Sequence, residues 1–179
     1  MRRLPSLLPV SDRHGLPGGD VAAWARALRA AGVEALWLRE KDLRDLALLQ
    51  LARAVRVALP RPAVLLLSAR PDLAIAAEAD GVHLPAAGLP IAPVRRRWGG
   101  RLLIGRSTHS PAEVEHAAKE GADYVTFGPV YPTPSKAAFG PPRGLGELAR
   151  ASRWGIPVLA LGGNQAGPSP RGIEGTSSS

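Results

Sequence analysis

The 179-residue sequence contains no cysteine, few aromatic side chains and no long apolar run. Without cysteine it can form neither a disulfide framework nor a thiolate metal site. Only 4% of the residues are aromatic, so there is little to stack on nucleic-acid bases. No apolar run approaches the ~20 residues of a membrane-spanning helix, and Pro5 and Pro9 interrupt the N-terminus before any signal-peptide core. These absences predict a cytoplasmic protein that acts on neither membranes nor nucleic acid.

Acidic residues are also scarce, with 15 Asp and Glu against 23 Lys and Arg and a formal net charge of +8. Such a balance suits an anionic small molecule or nucleic acid. The cations are scattered, and only residues 95–97 form an arginine run, which we interpret as a solvated helix face. No histidine or acidic pair has metal-ligand spacing. The charge therefore favours an anionic small-molecule partner. The spacing of the histidines and acidic residues predicts no metal site built by the protein.

Short apolar runs alternate with amphipathic segments along the chain, which is typical of repeated βα units around a parallel sheet. Asp20 is a candidate helix cap, and Ser110 with Pro111 and Glu113 forms a capping box at the start of another helix. The predicted strands are residues 7–10, 35–38, 63–67, 82–84, 102–105, 124–127 and 158–161.

Seven evenly spaced strands predict an α/β protein of the TIM-type (β/α) barrel class rather than an open doubly wound sheet. A closed eight-stranded barrel usually needs about 200 residues or more. We therefore expect the eighth βα unit to be lacking. Residues 1–163 are predicted as the barrel domain, and residues 164–179, rich in Gly, Pro and Ser, as an irregular tail.

Polar residues accumulate directly after the predicted strands, at the end where barrel enzymes build their sites. Arg39 and Lys41 flank Glu40 after the second strand and would suit a phosphate or carboxylate, with a local ion-pair network as the alternative. Gly162 and Gly163 follow the seventh strand, where their backbone N–H groups could approach a phosphate.

His109 is the titratable residue that points most directly to catalysis. It immediately precedes Ser110, where the positive end of the helix dipole favours a neutral imidazole that accepts a proton near pH 7. The alternative is a histidine that only bonds its own loop. Lys136, after the sixth strand, either meets the same anion or is solvated, and His83 is interpreted as a packed or loop-bonded residue at a strand end.

Six motifs occur in order over residues 5–163. They are LREK at 38–41, ADGVHL at 79–84, IGRSTHS at 104–110, GADYV at 121–125, FGPVYPT at 127–133 and ALGG at 160–163. Together they resemble the thiamine-phosphate synthase/TenI family of small TIM barrels. In that family a synthase joins hydroxymethylpyrimidine pyrophosphate to thiazole phosphate, with magnesium on the leaving group. A TenI-type thiazole tautomerase instead shifts a proton on thiazole carboxylate phosphate, without a metal and with a histidine.

The sequence departs from the synthase pattern where magnesium would bind. The aspartate after the third strand is Ala69 here, the acidic loop after the fourth strand is PAAG at 85–88, and the usual glutamine before Arg39 is Trp37. Arg106, by contrast, resembles the TenI version of its loop. The resemblance therefore implies the tautomerase. The synthase and a catalytically silent regulatory scaffold of the same fold are the alternatives.

The resemblance also assigns roles to residues. His109 would move the proton without a cofactor, and magnesium would be needed only by the synthase. The implied partner is a small phosphorylated thiazole, and the family implies a homodimer. The residues expected to bind substrate are Arg39, Lys41, Arg106, Ser107, Lys136, Gly162 and Gly163.

Overall fold

A computed structural model describes residues 4–132 and 141–162. Its sheet is entirely parallel, and each strand pairs with the next one along the chain. The strands within the described ranges are β1 (Ala35–Leu38), β2 (Val64–Ser68), β3 (Gly81–Leu84), β4 (Leu103–Thr108), β5 (Tyr124–Phe127) and β6 (Val158–Ala160). This order is that of a (β/α) barrel wall, so the predicted α/β, TIM-type fold class is confirmed.

Helices connect the strands. They are α1 (Val21–Ala30), α2 (Asp45–Ala58), α3 (Pro71–Ala76), α4 (Ile91–Trp98), α5 (Pro111–Lys119) and α6 (Gly144–Ala151). In the part of the chain that the structure describes, none of them is long and apolar enough to cross a membrane.

Both predicted helix caps are confirmed. Asp20 Oδ1 accepts a hydrogen bond from Ala23 N at 2.8 Å, and Ser110 Oγ accepts one from Glu113 N at 3.2 Å. These side chains satisfy backbone N–H groups that the first turn of a helix leaves without a partner. Pro111 occupies the first turn of α5, where its missing N–H costs nothing.

The first predicted strand, residues 7–10, is wrong as a strand. It is reduced to one parallel bridge between Val10 and Trp37, in which Pro9 O accepts from Trp37 N and Ser11 N donates to Trp37 O, both at 2.9 Å. The next ladder bond towards the N-terminus would need the N–H of residue 9. Because proline has none, the pairing stops there.

The predicted strand over residues 102–105 ends too early. β4 continues to Thr108, with Ser107 paired to Thr126 and Thr108 to Phe127 of β5. Thr108 Oγ1 also donates to Thr126 O at 2.9 Å, so its hydroxyl is satisfied inside the sheet. Arg106, Ser107 and Thr108 therefore belong to the strand, and His109 is the first residue after it.

Alternation along the strands separates two apolar layers. The outer layer, which includes Leu36, Leu65 and Val82, packs against the helices. The inner layer lies on the opposite face of the sheet, and its buried residues are Ala35, Trp37, Val64, Leu66 and Tyr124. These side chains thus fill the inner face of the sheet below a cavity at the carboxyl ends of the strands.

Candidate functional site

A cavity of about 700 Å³ lies at the carboxyl ends of the strands. Arg39 and Lys41 reach it from the end of β1, Ala69 from the end of β2, Pro85 from the end of β3 and His109 from the end of β4. Barrel enzymes place their sites at this face. The structure therefore brings the ends of successive strands together around one space large enough for a small molecule.

The floor of the cavity is a buried polar network centred on His83. Its Nδ1 lies 3.0 Å from Tyr124 Oη, and its Nε2 lies 2.9 Å from Ser107 Oγ and 3.4 Å from Thr126 Oγ1. The His83 ring also packs against Trp37, with ring centroids 4.0 Å apart. His83 is packed, as the sequence indicated, but its ring also lines the cavity.

His83 and Tyr124 are both held neutral. Burial, together with the positive charges of Arg106 and Arg39, lowers the pKa of His83 to about 3. Burial also raises the pKa of the Tyr124 phenol well above its usual range, with the negative charge of Asp123 acting in the same direction. At neutral pH the floor is therefore an uncharged set of hydrogen-bonding groups.

His109 lies in the wall of the cavity and is held from two sides. Its backbone N donates to Glu113 Oε2 at 2.8 Å, which fastens it to the first turn of α5. Its ring Nδ1 lies 2.5 Å from Gly128 O, across the ends of the strands. A carbonyl oxygen only accepts, so Nδ1 carries the hydrogen, and in the neutral ring Nε2 is the basic nitrogen.

Glu40 does not pair with the cations beside it. Its buried carboxylate accepts from Ser11 Oγ at 2.6 Å and from Arg13 N at 3.2 Å, and it forms an ion pair with Arg13 Nη1 at 3.4 Å. In residues 4–132 and 141–162, the Arg39 and Lys41 side chains have no hydrogen bond or ion pair with protein atoms. Glu40 thus pairs with Arg13 instead of forming the local network that was the alternative for Arg39 and Lys41, and two positive charges line the cavity.

The other predicted binding residues are distributed unevenly. Ser107 lines the cavity, whereas Arg106 points away from it and donates from Nη1 to Pro85 O at 2.6 Å. Gly162 follows β6 with a left-handed φ of 97°, and it is not part of the cavity wall. Lys136 and Gly163 lie outside the described residues, as does the predicted tail of residues 164–179.

The cavity wall does not fit magnesium. Mg²⁺ prefers several oxygen ligands, including carboxylates. Of the two carboxylates that the described residues place in the wall, Glu40 is already held by its donors and Asp45 pairs with Arg70. Within the described ranges no group of three or more metal-ligating side chains occurs. The positions where the synthase pattern has acidic residues are Ala69, Ala87 and Gly88.

The comparison with known proteins identifies the family. The sequence profile of TMP-TENI, described as thiamine monophosphate synthase, matches residues 7–173. The chain belongs to this family. The resemblance inferred from the six motifs is therefore confirmed at the level of the family.

Individual relatives agree with this assignment. A protein of Geobacter sulfurreducens, provisionally named a thiamine-phosphate synthase, is 49% identical over 160 residues, which are 88% of this chain and 75% of that protein. The thiamine-phosphate synthase of Anaeromyxobacter dehalogenans is 42% identical over 147 residues, which are 82% of this chain and 66% of the relative. A solved thiamine phosphate pyrophosphorylase from Pyrococcus furiosus matches with a TM-score of 0.77 and 29% identity, covering 87% of this chain and 74% of that structure.

These names correspond to the synthase alternative rather than to the tautomerase that the motifs favoured. The comparisons thus support an enzyme of the thiamine-phosphate synthase family and do not distinguish a tautomerase within it. The geometry of the cavity wall is the observation that bears on this choice.

Proposed function

We propose that the chain is a metal-independent enzyme of thiamine biosynthesis that shifts a proton on thiazole carboxylate phosphate. The observation that carries the proposal is the lack of carboxylates at the strand ends where the synthase pattern has them, since these positions are Ala69, Ala87 and Gly88. The same cavity holds a histidine with a defined basic nitrogen and two cations without protein partners in the described residues. This combination supports acid–base chemistry on an anionic substrate.

His109 acts as the general base and then as the general acid. Its Nε2 takes a proton from the thiazole system, and the electron pair left behind is delocalised into the ring. The same nitrogen returns the proton at the second position, so the composition of the substrate is unchanged. A positioned group of this kind is typically worth about 10²- to 10⁴-fold in rate.

Arg39 and Lys41 bind the anionic groups of the substrate. An arginine fork matches a carboxylate or phosphate with two parallel hydrogen bonds, and a lysine adds a point charge. Because Glu40 is held by Ser11 and Arg13 rather than by its neighbours, the Arg39 and Lys41 side chains remain available to a ligand in the cavity that they line.

A second candidate, thiamine-phosphate synthase, is favoured by the names of the relatives. By the family resemblance that reaction depends on magnesium held at the leaving pyrophosphate. The carboxylates of the cavity wall are already engaged, so they do not support it.

The deciding experiment compares the two reactions directly. The purified protein is incubated with thiazole carboxylate phosphate, and separately with hydroxymethylpyrimidine pyrophosphate, thiazole phosphate and MgCl₂, each with and without EDTA. Proton and phosphorus NMR follow the products. We expect tautomer conversion that is insensitive to EDTA. Thiamine phosphate formation that EDTA abolishes would establish the synthase, and a shifted substrate spectrum without turnover would establish a silent scaffold.

The histidine variant tests the assigned base. His109→Gln is expected to lower turnover by about 10²- to 10⁴-fold while the substrate still binds. The control is His116→Gln, because His116 is an exposed histidine on the adjacent helix α5. Equal rates for the two variants would remove His109 from the catalytic role.

A further inference from the structure

Two half-buried serines line the cavity, and each lies within hydrogen-bonding distance of a ring nitrogen below it. We propose that Ser68 and Ser107 form a hydrogen-bond donor subsite that holds a carboxylate group of the ligand. Trp37 and the pair formed by His83 and Tyr124 fix the direction in which the two hydroxyls donate. The choice of a carboxylate rests on the proposed function, whereas the direction of donation rests on the geometry alone.

Ser68 is oriented by Trp37. The indole Nε1 lies 2.7 Å from Ser68 Oγ, and an indole N–H can only donate. Ser68 Oγ is therefore the acceptor in this contact, and its own hydrogen is available for a second bond. Among the described residues no protein acceptor takes that hydrogen, so Ser68 can donate into the cavity that it lines.

The tautomer of His83 follows from Tyr124. The phenol is 1% exposed, and His83 Nδ1, at 3.0 Å, is its hydrogen-bond partner among the described residues. A buried O–H without an acceptor costs about 1–3 kcal/mol, so Tyr124 donates and Nδ1 accepts. The single hydrogen of the neutral imidazole is then on Nε2.

Ser107 is oriented by that Nε2–H group. Its Oγ lies 2.9 Å from Nε2 and is the nearer of two hydroxyl acceptors, with Thr126 Oγ1 at 3.4 Å. Because Ser107 Oγ accepts from the ring, its own hydrogen is directed elsewhere, and Ser107 lines the cavity. The buried relay from Tyr124 through His83 thus converts Ser107 into a donor.

Two hydroxyl donors in one cavity suit a ligand group that only accepts hydrogen bonds. A carboxylate has two acceptor oxygens and no donor. The positive charge of Arg39 acts on the same floor, as its effect on His83 shows. Because each serine oxygen already accepts one hydrogen bond from the protein, a ligand group that accepts is favoured over one that only donates.

The direction of donation is tested on the protein without ligand. In ¹⁵N-labelled protein, long-range ¹H–¹⁵N correlation spectra distinguish protonated from unprotonated ring nitrogens. We expect protonated Nε2 and unprotonated Nδ1 at His83, and loss of this preference in Tyr124→Phe. That variant keeps the ring in place and removes only the hydroxyl. A protonated Nδ1 in the unmodified protein would overturn the proposed relay.

The subsite itself is tested by affinity, with turnover playing no part. Dissociation constants are measured by calorimetry for thiazole carboxylate phosphate and for thiazole phosphate, which lacks the carboxylate. Ser68→Ala and Ser107→Ala should each weaken binding of the carboxylate compound by about 10-fold or more, since hydrogen bonds to charged groups are the strong ones. Neither variant should change the affinity for thiazole phosphate. Equal losses for both ligands, or no loss, would overturn the carboxylate subsite without affecting the turnover test.

A double-mutant cycle separates orientation from packing. Tyr124→Phe should weaken binding of the carboxylate compound in the parent protein but not in the Ser107→Ala variant, because the relay acts only through that hydroxyl. If Tyr124 only supports the fold, the phenylalanine variant will lose the same factor in both backgrounds, and the positioning role is then refuted.

Discussion

Asp80 and Asp123 hold their strands in the same way, two strands apart along the sheet. Each aspartate immediately precedes a strand and accepts a backbone hydrogen bond from the strand before it. Each also pairs with an arginine of the helix that leads into that earlier strand, so one carboxylate ties three elements together. The donors are Leu65 N at 2.9 Å and Arg56 Nη1 at 2.6 Å for Asp80, and Ile104 N at 2.6 Å and Arg95 Nη2 at 2.7 Å for Asp123.

The two aspartates should contribute differently to the free energy of unfolding because they differ in burial. The Asp80 side chain is 2% exposed and that of Asp123 is 25% exposed. Asp80→Ala leaves the buried positive charge of Arg56 without its carboxylate and the Leu65 N–H without its acceptor, and we expect a loss of about 3–5 kcal/mol in the free energy of unfolding. Asp123→Ala should cost about 1–3 kcal/mol, because water can replace part of the contact. Urea unfolding followed by circular dichroism measures both.

The control for these variants is a surface pair. Glu115 and Lys119 form an exposed ion pair on α5 at 2.7 Å, and Glu115→Ala should cost less than about 1 kcal/mol. A similar loss for Glu115→Ala and Asp80→Ala would show that burial does not set the energy of these contacts.

Gly105 makes room for the Tyr124 ring. A Cβ atom added at residue 105 would overlap the ring atoms of Tyr124, which lies on the inner face of the sheet. Gly105→Ala should therefore cost about 1–3 kcal/mol through overpacking and displace Tyr124 from His83. Urea unfolding gives the energy, and the ring-nitrogen signals of His83 report the displacement.

The matched control is Gly100→Ala, where nothing lies within 4 Å of the added Cβ. We expect its free energy of unfolding to stay within about 0.5 kcal/mol of that of the parent protein. An equally small change for Gly105→Ala would contradict the predicted overlap between the added Cβ atom and the Tyr124 ring.

Much of the fold could be predicted because apolar runs and caps are local signals. The strand at residues 35–38 has the bounds that the sequence indicated, and the caps Asp20 and Ser110 act where their types suggest. The errors occur where pairing with a neighbouring strand determines whether a residue belongs to a strand. Ser107 and Thr108 look like loop residues, yet their partners on β5 continue the ladder. Residues 7–10 look like a strand, yet Pro9 lacks the required N–H.

The site could be predicted only in outline. Arg39, Lys41 and His109 could be predicted because each follows a strand, and the strand ends meet in any parallel barrel. The floor was missed because its members are distant in sequence. The 3.0 Å contact between His83 and Tyr124 spans 41 residues and needs the sheet register to bring them together. One signal was present, because Gly105 stands at an inner-face position beside a large aromatic residue.

Magnesium should not stabilise the ligand-free protein. Binding to the folded state alone raises stability in proportion to the logarithm of ligand concentration over Kd. Among the described residues, the cavity wall has two carboxylates, and both are already engaged: Glu40 by Ser11 and Arg13, and Asp45 by Arg70. We expect the same thermal midpoint in MgCl₂ as in NaCl of equal ionic strength. A midpoint that rises with MgCl₂ beyond the NaCl series would establish a magnesium site and favour the synthase.

Acid should destabilise the protein partly through His83. The folded-state pKa is about 3, lowered first by burial and then by Arg106 and Arg39, whereas an ordinary histidine has a pKa of 6.5. Below about pH 6.5 the unfolded chain binds a proton at this residue and the folded protein does not. Stability therefore falls as the pH drops from about 6.5 towards 3, by up to about 1.4 kcal/mol per pH unit from this group.

A neutral replacement isolates the contribution of this histidine. His83→Gln cannot titrate, so its free energy of unfolding should change less between about pH 7 and pH 5 than that of the parent protein, whatever its absolute stability. Urea midpoints at several pH values give both slopes. Carboxylates such as Asp72, whose pKa is lowered by Arg70, also lose stability in acid, but they do so equally in every variant and cancel in the comparison. Equal slopes of the free energy of unfolding against pH for His83→Gln and the parent protein would mean that His83 takes up a proton in the folded state. The neutral floor would then be refuted.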